Sequence, residues 1–208
     1  ILNPIPMYAK NVEFVGEKKV PVEDKPLGYD LSVGDWVAPF GTGVESDFVL
    51  LLQRAPERRA MSYWGDKPRP YVLYDVTLNI AFSNDGDGLQ PAYAEQKGSA
   101  LVISREAPQT GYQAHLEKRA FREEGQNGHP DIHGNAGYFF RVRTKKDENG
   151  LIINALYGKI QGDVEVDRHG QIRFTYYLNP TPNDRNLEFD PARNLFTNLP
   201  VAEQVREP

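Results

Sequence analysis

Cysteine is absent from the 208-residue chain, which excludes disulfide bonds and metal sites built on thiolates. No apolar run approaches the roughly 20 residues that a membrane-spanning helix needs, so we expect no transmembrane segment. Cations are too few for a basic stripe: 24 Lys and Arg stand against 29 Asp and Glu, and the net charge is -5. Because the two signs are interspersed, nucleic acid is not an expected partner.

The compartment is not fixed by the missing cysteine, since exported proteins without this residue occur. The chain starts at Ile1 without an initiator methionine, a pattern that fits either a precursor from which an export signal was removed or a chain that was trimmed at this end. We therefore expect an extracytoplasmic location, in the periplasm, at the cell surface or in the medium. The sequence gives no indication of the oligomeric state.

Regular alternation of apolar residues is the strongest pattern present. Within residues 71–82, every second position is apolar, namely Val72, Tyr74, Val76, Leu78, Ile80 and Phe82. Side chains alternate between the two faces of a strand, so this segment is predicted to be a strand with one dry face. The other face is semi-polar and carries Tyr71.

Shorter segments predict further strands. They lie at 34–40, 47–52, 62–64, 100–104, 114–121, 138–144, 151–160 and 172–178. Residues 67–70, with two prolines, are interpreted as a stiff connection, and Asn149-Gly150 is predicted to form a tight hairpin turn with positive φ angles. Residues 114–121 contain good helix formers, but the surrounding β pattern favours a strand.

The chain is predicted to have one β domain between two extended arms. Residues 1–33 are rich in proline and charge and form the N-terminal arm, with a short edge strand at 11–15. Residues 34–180 form the domain. Residues 181–208 have little periodicity and are interpreted as a coil that packs on the domain, with one helical turn at 191–195.

The predicted fold class is all-β, an antiparallel two-sheet sandwich of jelly-roll or concanavalin-like topology. Many strand candidates and long loops support this class. A lipocalin-type barrel is the alternative. The sandwich is favoured because residues 48–52 are apolar on both faces, as in a packed middle strand, whereas barrel strands alternate more evenly.

The segment 128–134 carries the sharpest cluster of chemically active residues. His129, Asp131 and His133 lie at alternating positions, and an extended backbone would direct all three to one side. Two imidazoles and a carboxylate are suitable ligands for zinc or a similar divalent ion. The alternative is a loop whose polar side chains cap turns between Gly and Pro.

The segment Asn84-Asp85-Gly86-Asp87-Gly88 resembles the start of a calcium-binding loop, because Asn84, Asp85 and Asp87 bring three oxygen-bearing side chains together. The rest of an EF-hand is missing, since no Glu stands at the twelfth position. A hairpin connection explains the same residues through turn preferences alone. A structural calcium or zinc ion is therefore a hypothesis, and no other cofactor is expected.

Aromatic residues are candidates for a ligand surface, since flat rings beside amides and charges stack on sugars and hydrogen-bond them. The ligand-binding candidates are Trp36, Trp64, Tyr71 and Tyr112. No catalytic residue is predicted. The acids on or near strands (Asp75, Glu117, Glu123, Glu124, Asp163, Glu165) are not distinguished from ordinary solvated charge, and there is no nucleophile elbow, phosphate loop or cysteine nucleophile.

The layout resembles the concanavalin-like sandwiches of exported carbohydrate-binding and carbohydrate-active proteins. The resemblance covers 34–180 and rests on Gly98-Ser99 opening a strand, the Asn149-Gly150 hairpin and the Tyr157-Gly158-x-Ile160 strand. It implies a glycan or other cell-surface ligand. The paired glutamates that mark the hydrolases of that fold are absent, which favours a binding domain without turnover. The alternatives are a metal-dependent hydrolase or lyase using His129, Asp131 and His133, and a structural domain of the cell envelope.

Overall fold

A computed structural model describes residues 3–16, 19–93, 95–97, 100–124 and 136–206. The chain is an all-β, two-sheet sandwich. Its strands are β1 (Ile5–Phe14), β2 (Leu27–Asp30), β3 (Asp35–Trp36), β4 (Phe48–Arg54), β5 (Arg58–Trp64), β6 (Lys67–Ala81), β7 (Gly88–Ala92), β8 (Glu95–Lys97), β9 (Ala100–Val102), β10 (His115–Arg122), β11 (Gly137–Lys146), β12 (Ile152–Val166), β13 (Ile172–Asn179) and β14 (Phe189–Asn194). A 3₁₀ turn occupies Val201–Glu203.

Each of the two main sheets contains six strands. The first has the order β14-β1-β13-β12-β11-β7, and only its β14/β1 pair is parallel. The second has the order β10-β6-β4-β2-β3, with β5 also paired to β6. β8 and β9 form a separate hairpin. The described part of the chain thus matches the predicted fold class.

The first sheet is buried on both faces. One face meets the second sheet, and the contact buries rings such as Phe48, Phe140 and Tyr176. The other face carries a second apolar cluster with Phe139 and Tyr177, covered by Leu187 and other residues of connecting segments. Burial on both faces explains why β11 and β13 carry large apolar residues on the outer face as well, among them Phe139 and Tyr177.

The strand predicted at 71–82 is confirmed and is longer than predicted. Val76, Leu78 and Ile80 are almost fully buried in the main core. Tyr74 and Phe82 are partly buried against that core. Val72 is only half-buried, because this end of β6 leaves the sandwich as part of a hairpin with β5.

Three local predictions are corrected. Residues 67–70 belong to β6 and are not a connection. The edge strand predicted at 11–15 is replaced by β1, an interior strand between β14 and β13. The helical turn predicted at 191–195 is wrong, because β14 occupies 189–194 and pairs with β1.

The hairpin predicted at Asn149-Gly150 connects β11 and β12, but its turn is wider than predicted. The Gly150 N–H donates to the Asp147 carbonyl at 3.0 Å, and the Asp147 N–H donates to the Leu151 carbonyl at 2.9 Å. Gly150 has φ 80°, as predicted, and Asn149 is not in the positive-φ region. The geometry is therefore that of a turn closed by one left-handed residue, not of two.

Candidate ligand-binding groove

An open groove of about 750 Å³ lies at one end of the sandwich. Four segments form its walls: the second half of β1, residues 19–21, the β2–β3 turn with the loop that follows β3, and residues 198–203 near the C-terminus. The predicted ligand residue Trp36 lines this groove. The other three predicted ligand residues lie elsewhere.

The loop that follows β3 is held in place by the carboxylate of Asp35. One oxygen accepts a hydrogen bond from the Trp36 N–H at 2.8 Å, and the other accepts from the Thr42 N–H at 2.8 Å and the Thr42 hydroxyl at 2.9 Å. Gly41 fits closely inside the loop, since a Cβ there would lie 2.4 Å from the Trp36 carbonyl oxygen. The loop therefore presents Phe40, whose exposed fraction is 44%, from a fixed backbone.

Behind this loop, aromatic rings form the inner wall of the groove. Trp36 stacks on Phe14 with ring centroids 4.5 Å apart and meets the edge of Tyr29 at 5.4 Å. Trp36 is only 6% exposed, so its face is used by Phe14 and not offered to solvent. The ring that a ligand can reach is that of Phe40, which is not among the predicted ligand residues.

The polar groups of the groove fall into two sets. Lys10 is engaged, because its Nζ donates to the Gly34 carbonyl at 2.5 Å and lies 3.1 Å from a Glu203 carboxylate oxygen. The side chains of Glu13, Lys19 and Asn198 also line the groove. These three make no hydrogen bond or ion pair within the described residues, so a carboxylate, an ammonium and an amide are available to a ligand.

The remaining predicted ligand residues do not join the groove. Trp64 and Tyr71 belong to the β5–β6 hairpin, where the Arg122 guanidinium lies 4.5 Å from the centre of the Tyr71 ring. Tyr112 is half-buried against the other side of the first sheet. Its ring lies 4.6 Å from the Arg141 guanidinium.

The predicted calcium residues stabilise β11. Asp87 is buried, and its carboxylate accepts hydrogen bonds from the backbone N–H groups of Arg143 (3.1 Å) and Thr144 (2.8 Å). The Asn84 amide also donates to Asp87, at 2.9 Å. Asp85 is exposed and pairs with a lysine of β11. The carboxylate oxygens of Asp87 are thus already engaged as acceptors for backbone N–H groups of β11.

The predicted metal ligands His129, Asp131 and His133 lie outside the described residues. Among the residues that the structure does describe, no three His, Asp or Glu side chains are grouped closely enough to hold a metal ion. The zinc hypothesis therefore stays a prediction from the sequence.

A buried ionic cluster joins the two sheets and was not anticipated from the sequence. Arg143 on β11 donates to Asp47 from Nε (2.8 Å) and Nη2 (2.8 Å), and to Asp30 from Nη2 (3.0 Å). Burial raises the pKa of Asp47 although Arg143 opposes this. Burial would also raise the pKa of Asp30, but hydrogen bonds from the N–H groups of Glu45 and Val44 outweigh it and lower that pKa.

Lys159 is a second unanticipated buried charge, on the outer face of β12. Its exposed fraction is 7%, and its Nζ lies 4.6 Å from the centre of the Tyr177 ring. Burial, with a smaller contribution from the charge of Arg105, lowers the pKa of Lys159 to about 8. Glu188 acts in the opposite direction, and one of its carboxylate oxygens is buried without a hydrogen-bond partner.

The described residues contain no helix with the length and apolar character needed to cross a membrane. Comparison of the chain with models of known protein families, with curated proteins and with solved structures finds no significant match in any of the three.

Proposed function

We propose that the chain is a non-catalytic extracytoplasmic domain that binds a glycan in the groove beside Phe40. The observation that carries the proposal is the exposed ring of Phe40 on a loop fixed by Asp35. The C–H face of a sugar ring stacks on an aromatic ring of this kind. A backbone that is already ordered also reduces the entropy lost on binding.

The free polar groups of the groove suit the hydroxyl groups of a sugar. A hydroxyl both donates and accepts hydrogen bonds, so it can pair with the carboxylate of Glu13, the ammonium of Lys19 and the amide of Asn198. The groove is open, which suits one stretch of a longer chain more than a small enclosed ligand. Its mixed charge and the overall net charge of -5 favour a neutral glycan over a polyanion.

The finer parts of the proposal rest on the sequence. The resemblance of 34–180 to concanavalin-like sandwiches suggests an exported carbohydrate-binding protein. Fold likeness alone does not carry function from one protein to another. The geometry of the groove is therefore the independent support for a glycan ligand.

A glycan array probed with the purified chain, followed by calorimetric titration of the glycans that bind, tests the proposal. Phe40→Ala is expected to weaken binding at least about 10-fold through loss of the stacking contact. Asn198→Ala is expected to weaken it less. Tyr93→Ala is the matched control, because Tyr93 is also an exposed ring, at 70%, and does not line the groove.

Binding that survives Phe40→Ala unchanged would place the ligand elsewhere on the molecule. A chain that is folded but binds no glycan on the array would contradict the proposal and favour the structural cell-envelope domain.

A further inference from the structure

The β5–β6 hairpin extends beyond the sandwich as an arm, defined here as residues 57–73. Met61 is 52% exposed and Tyr63 is 73% exposed, and both lie on the same face of β5. Within the described residues, β5 pairs only with β6. A strand edge of this kind normally needs protection, because its free N–H and C=O groups can pair with another strand.

Two prolines determine which edge of the arm is open. Pro68 lies opposite Tyr63, and Pro70 lies opposite Met61. Opposed residues that exchange backbone hydrogen bonds each need an N–H, which proline lacks. Both pairs are therefore of the non-hydrogen-bonded kind, and both prolines face the outer edge of β6, which they block for strand addition.

Among the described residues, the same geometry leaves the outer edge of β5 without a partner strand. Because residues of non-hydrogen-bonded pairs direct their backbone groups away from each other, Met61 and Tyr63 present N–H and C=O groups to the outer edge. Arg59 does the same, since the pattern repeats every second residue. β5 contains no proline, so its outer edge offers an uninterrupted row of donors and acceptors.

The sequence of β5 is complementary to itself when two copies run antiparallel. With Met61 opposite its own copy, Arg59 falls opposite Tyr63, and Arg58 falls opposite Trp64. The Arg59–Tyr63 contact places a guanidinium beside an exposed ring, a favourable cation–π arrangement. The small residues Ala60 and Ser62 face each other between these contacts.

We propose that the arm docks on a second copy of this chain through antiparallel pairing of the two β5 edges about a two-fold axis at Met61. The outward-facing groups of Arg59, Met61 and Tyr63 then make about six backbone hydrogen bonds between the copies. Such an interface is isologous, as in most homodimers. It buries little area, so the dimer is weak.

The charges at the ends of the interface are mixed. The arm has four cationic and two acidic side chains. The pairing puts the tip of each arm, with Asp66 and Lys67, beside the base of the other arm, with Glu57 and Arg58, so both signs meet at each end. The two Arg59 side chains are about 14 Å apart, beyond the screening length of about 8–10 Å.

Disulfide trapping tests the axis directly, because the chain has no cysteine of its own. In Met61→Cys the two Cα atoms of the pair are about 5.5 Å apart, within disulfide reach. This variant is expected to form a covalent dimer under mild oxidation. Tyr63→Cys is the matched control: it lies on the same edge and is exposed, but its two copies are about 14 Å apart.

Cross-linking of Met61→Cys but not of Tyr63→Cys supports the register. No cross-link at position 61, or equal cross-linking at both positions, overturns it.

Sedimentation velocity then measures the association of the chain without cysteine substitutions. Met61→Lys is expected to weaken this association at least about 10-fold, because two ammonium groups meet at the axis. Leu151→Lys, the same kind of change at an exposed position of another hairpin, is expected to have no effect.

Circular dichroism confirms that each variant is folded. A wild-type chain that stays monomeric at its highest soluble concentration contradicts the proposal. So does an association that Met61→Lys and Leu151→Lys leave equally strong, since the contact between copies would then lie outside the arm.

Discussion

Replacing Lys159 with methionine is expected to stabilise the protein at neutral pH. The ammonium of Lys159 is buried and makes no hydrogen bond or ion pair within the described residues, and it lies 4.6 Å from the centre of the Tyr177 ring. An ammonium without hydrogen-bond acceptors is costly to remove from water. Methionine keeps most of the apolar stem and removes the charge, so Lys159→Met should raise the free energy of unfolding.

The size of the effect follows from the pKa. Burial lowers the pKa of Lys159 from 10.5 to about 8, and one pKa unit corresponds to about 1.4 kcal/mol. Holding the charged form in the folded state therefore costs about 3–4 kcal/mol. Loss of the cation–π contact offsets about 1 kcal/mol or more of the gain, so a net stabilisation of about 1–2 kcal/mol is expected below pH 8.

The pH dependence gives the sharper test. Because the folded pKa lies below the unfolded one, the unfolded chain binds more protons between about pH 8 and pH 10.5. The wild type therefore gains stability as the pH rises through this window, and Lys159→Met does not share that gain. The advantage of the variant is complete below pH 8 and disappears above about pH 10.5.

Urea unfolding at pH 6.5 and pH 9.5, followed by tryptophan fluorescence, measures the difference. Lys145→Met serves as the control, because Lys145 is exposed. A variant that is less stable than the wild type at pH 6.5, or a difference that does not change with pH, would refute the reasoning. Either result would indicate that the ammonium of Lys159 is stabilised in the folded state by the carboxylate of Glu188.

Three further substitutions test other contacts by the urea midpoint. Arg143→Met should destabilise the fold by about 3–5 kcal/mol, because two buried carboxylates lose their partner. Arg119→Met breaks an exposed ion pair and should cost under about 1 kcal/mol. Similar losses in the two variants would contradict the assignment of a larger role to the buried cluster. Asp87→Ala should lower the free energy of unfolding by about 1–3 kcal/mol, whereas Asp85→Ala should leave the midpoint unchanged. If calcium raises the midpoint of the wild type, and only Asp87→Ala loses this effect, the result would instead support the calcium site. Gly150→Val should cost about 1 kcal/mol or more, because Gly150 has φ 80°; an unchanged midpoint would count against strain in this turn.

Local alternation was enough to predict the all-β class, because it reports which side chains face a core. The strands at 71–82 and 172–178 were recognised in this way. The segment 67–70 was misread, since proline is unusual inside a strand and its tolerance here depends on which way its nitrogen faces. That direction is set by the partner strand, which sequence alone does not identify.

The groove was only partly predictable. Trp36, a predicted ligand residue, lines the groove, but its exposure could not be known, because Phe14, more than 20 positions earlier, covers its face. Phe40 could have been noticed as an aromatic residue between Pro39 and Gly41, outside any apolar pattern. The Asp30–Arg143 contact joins residues far apart in the chain, and no local pattern marks it.

The position of β1 has a consequence for how the molecule is made. Tyr8 pairs with Leu178, and Ile5 pairs with Phe189, so β1 is synthesised well before the strands with which it pairs. Until then its apolar side chains have no partner, and contacts this distant in sequence slow folding. We therefore expect the nascent chain to depend on protection from aggregation until β13 and β14 have been synthesised.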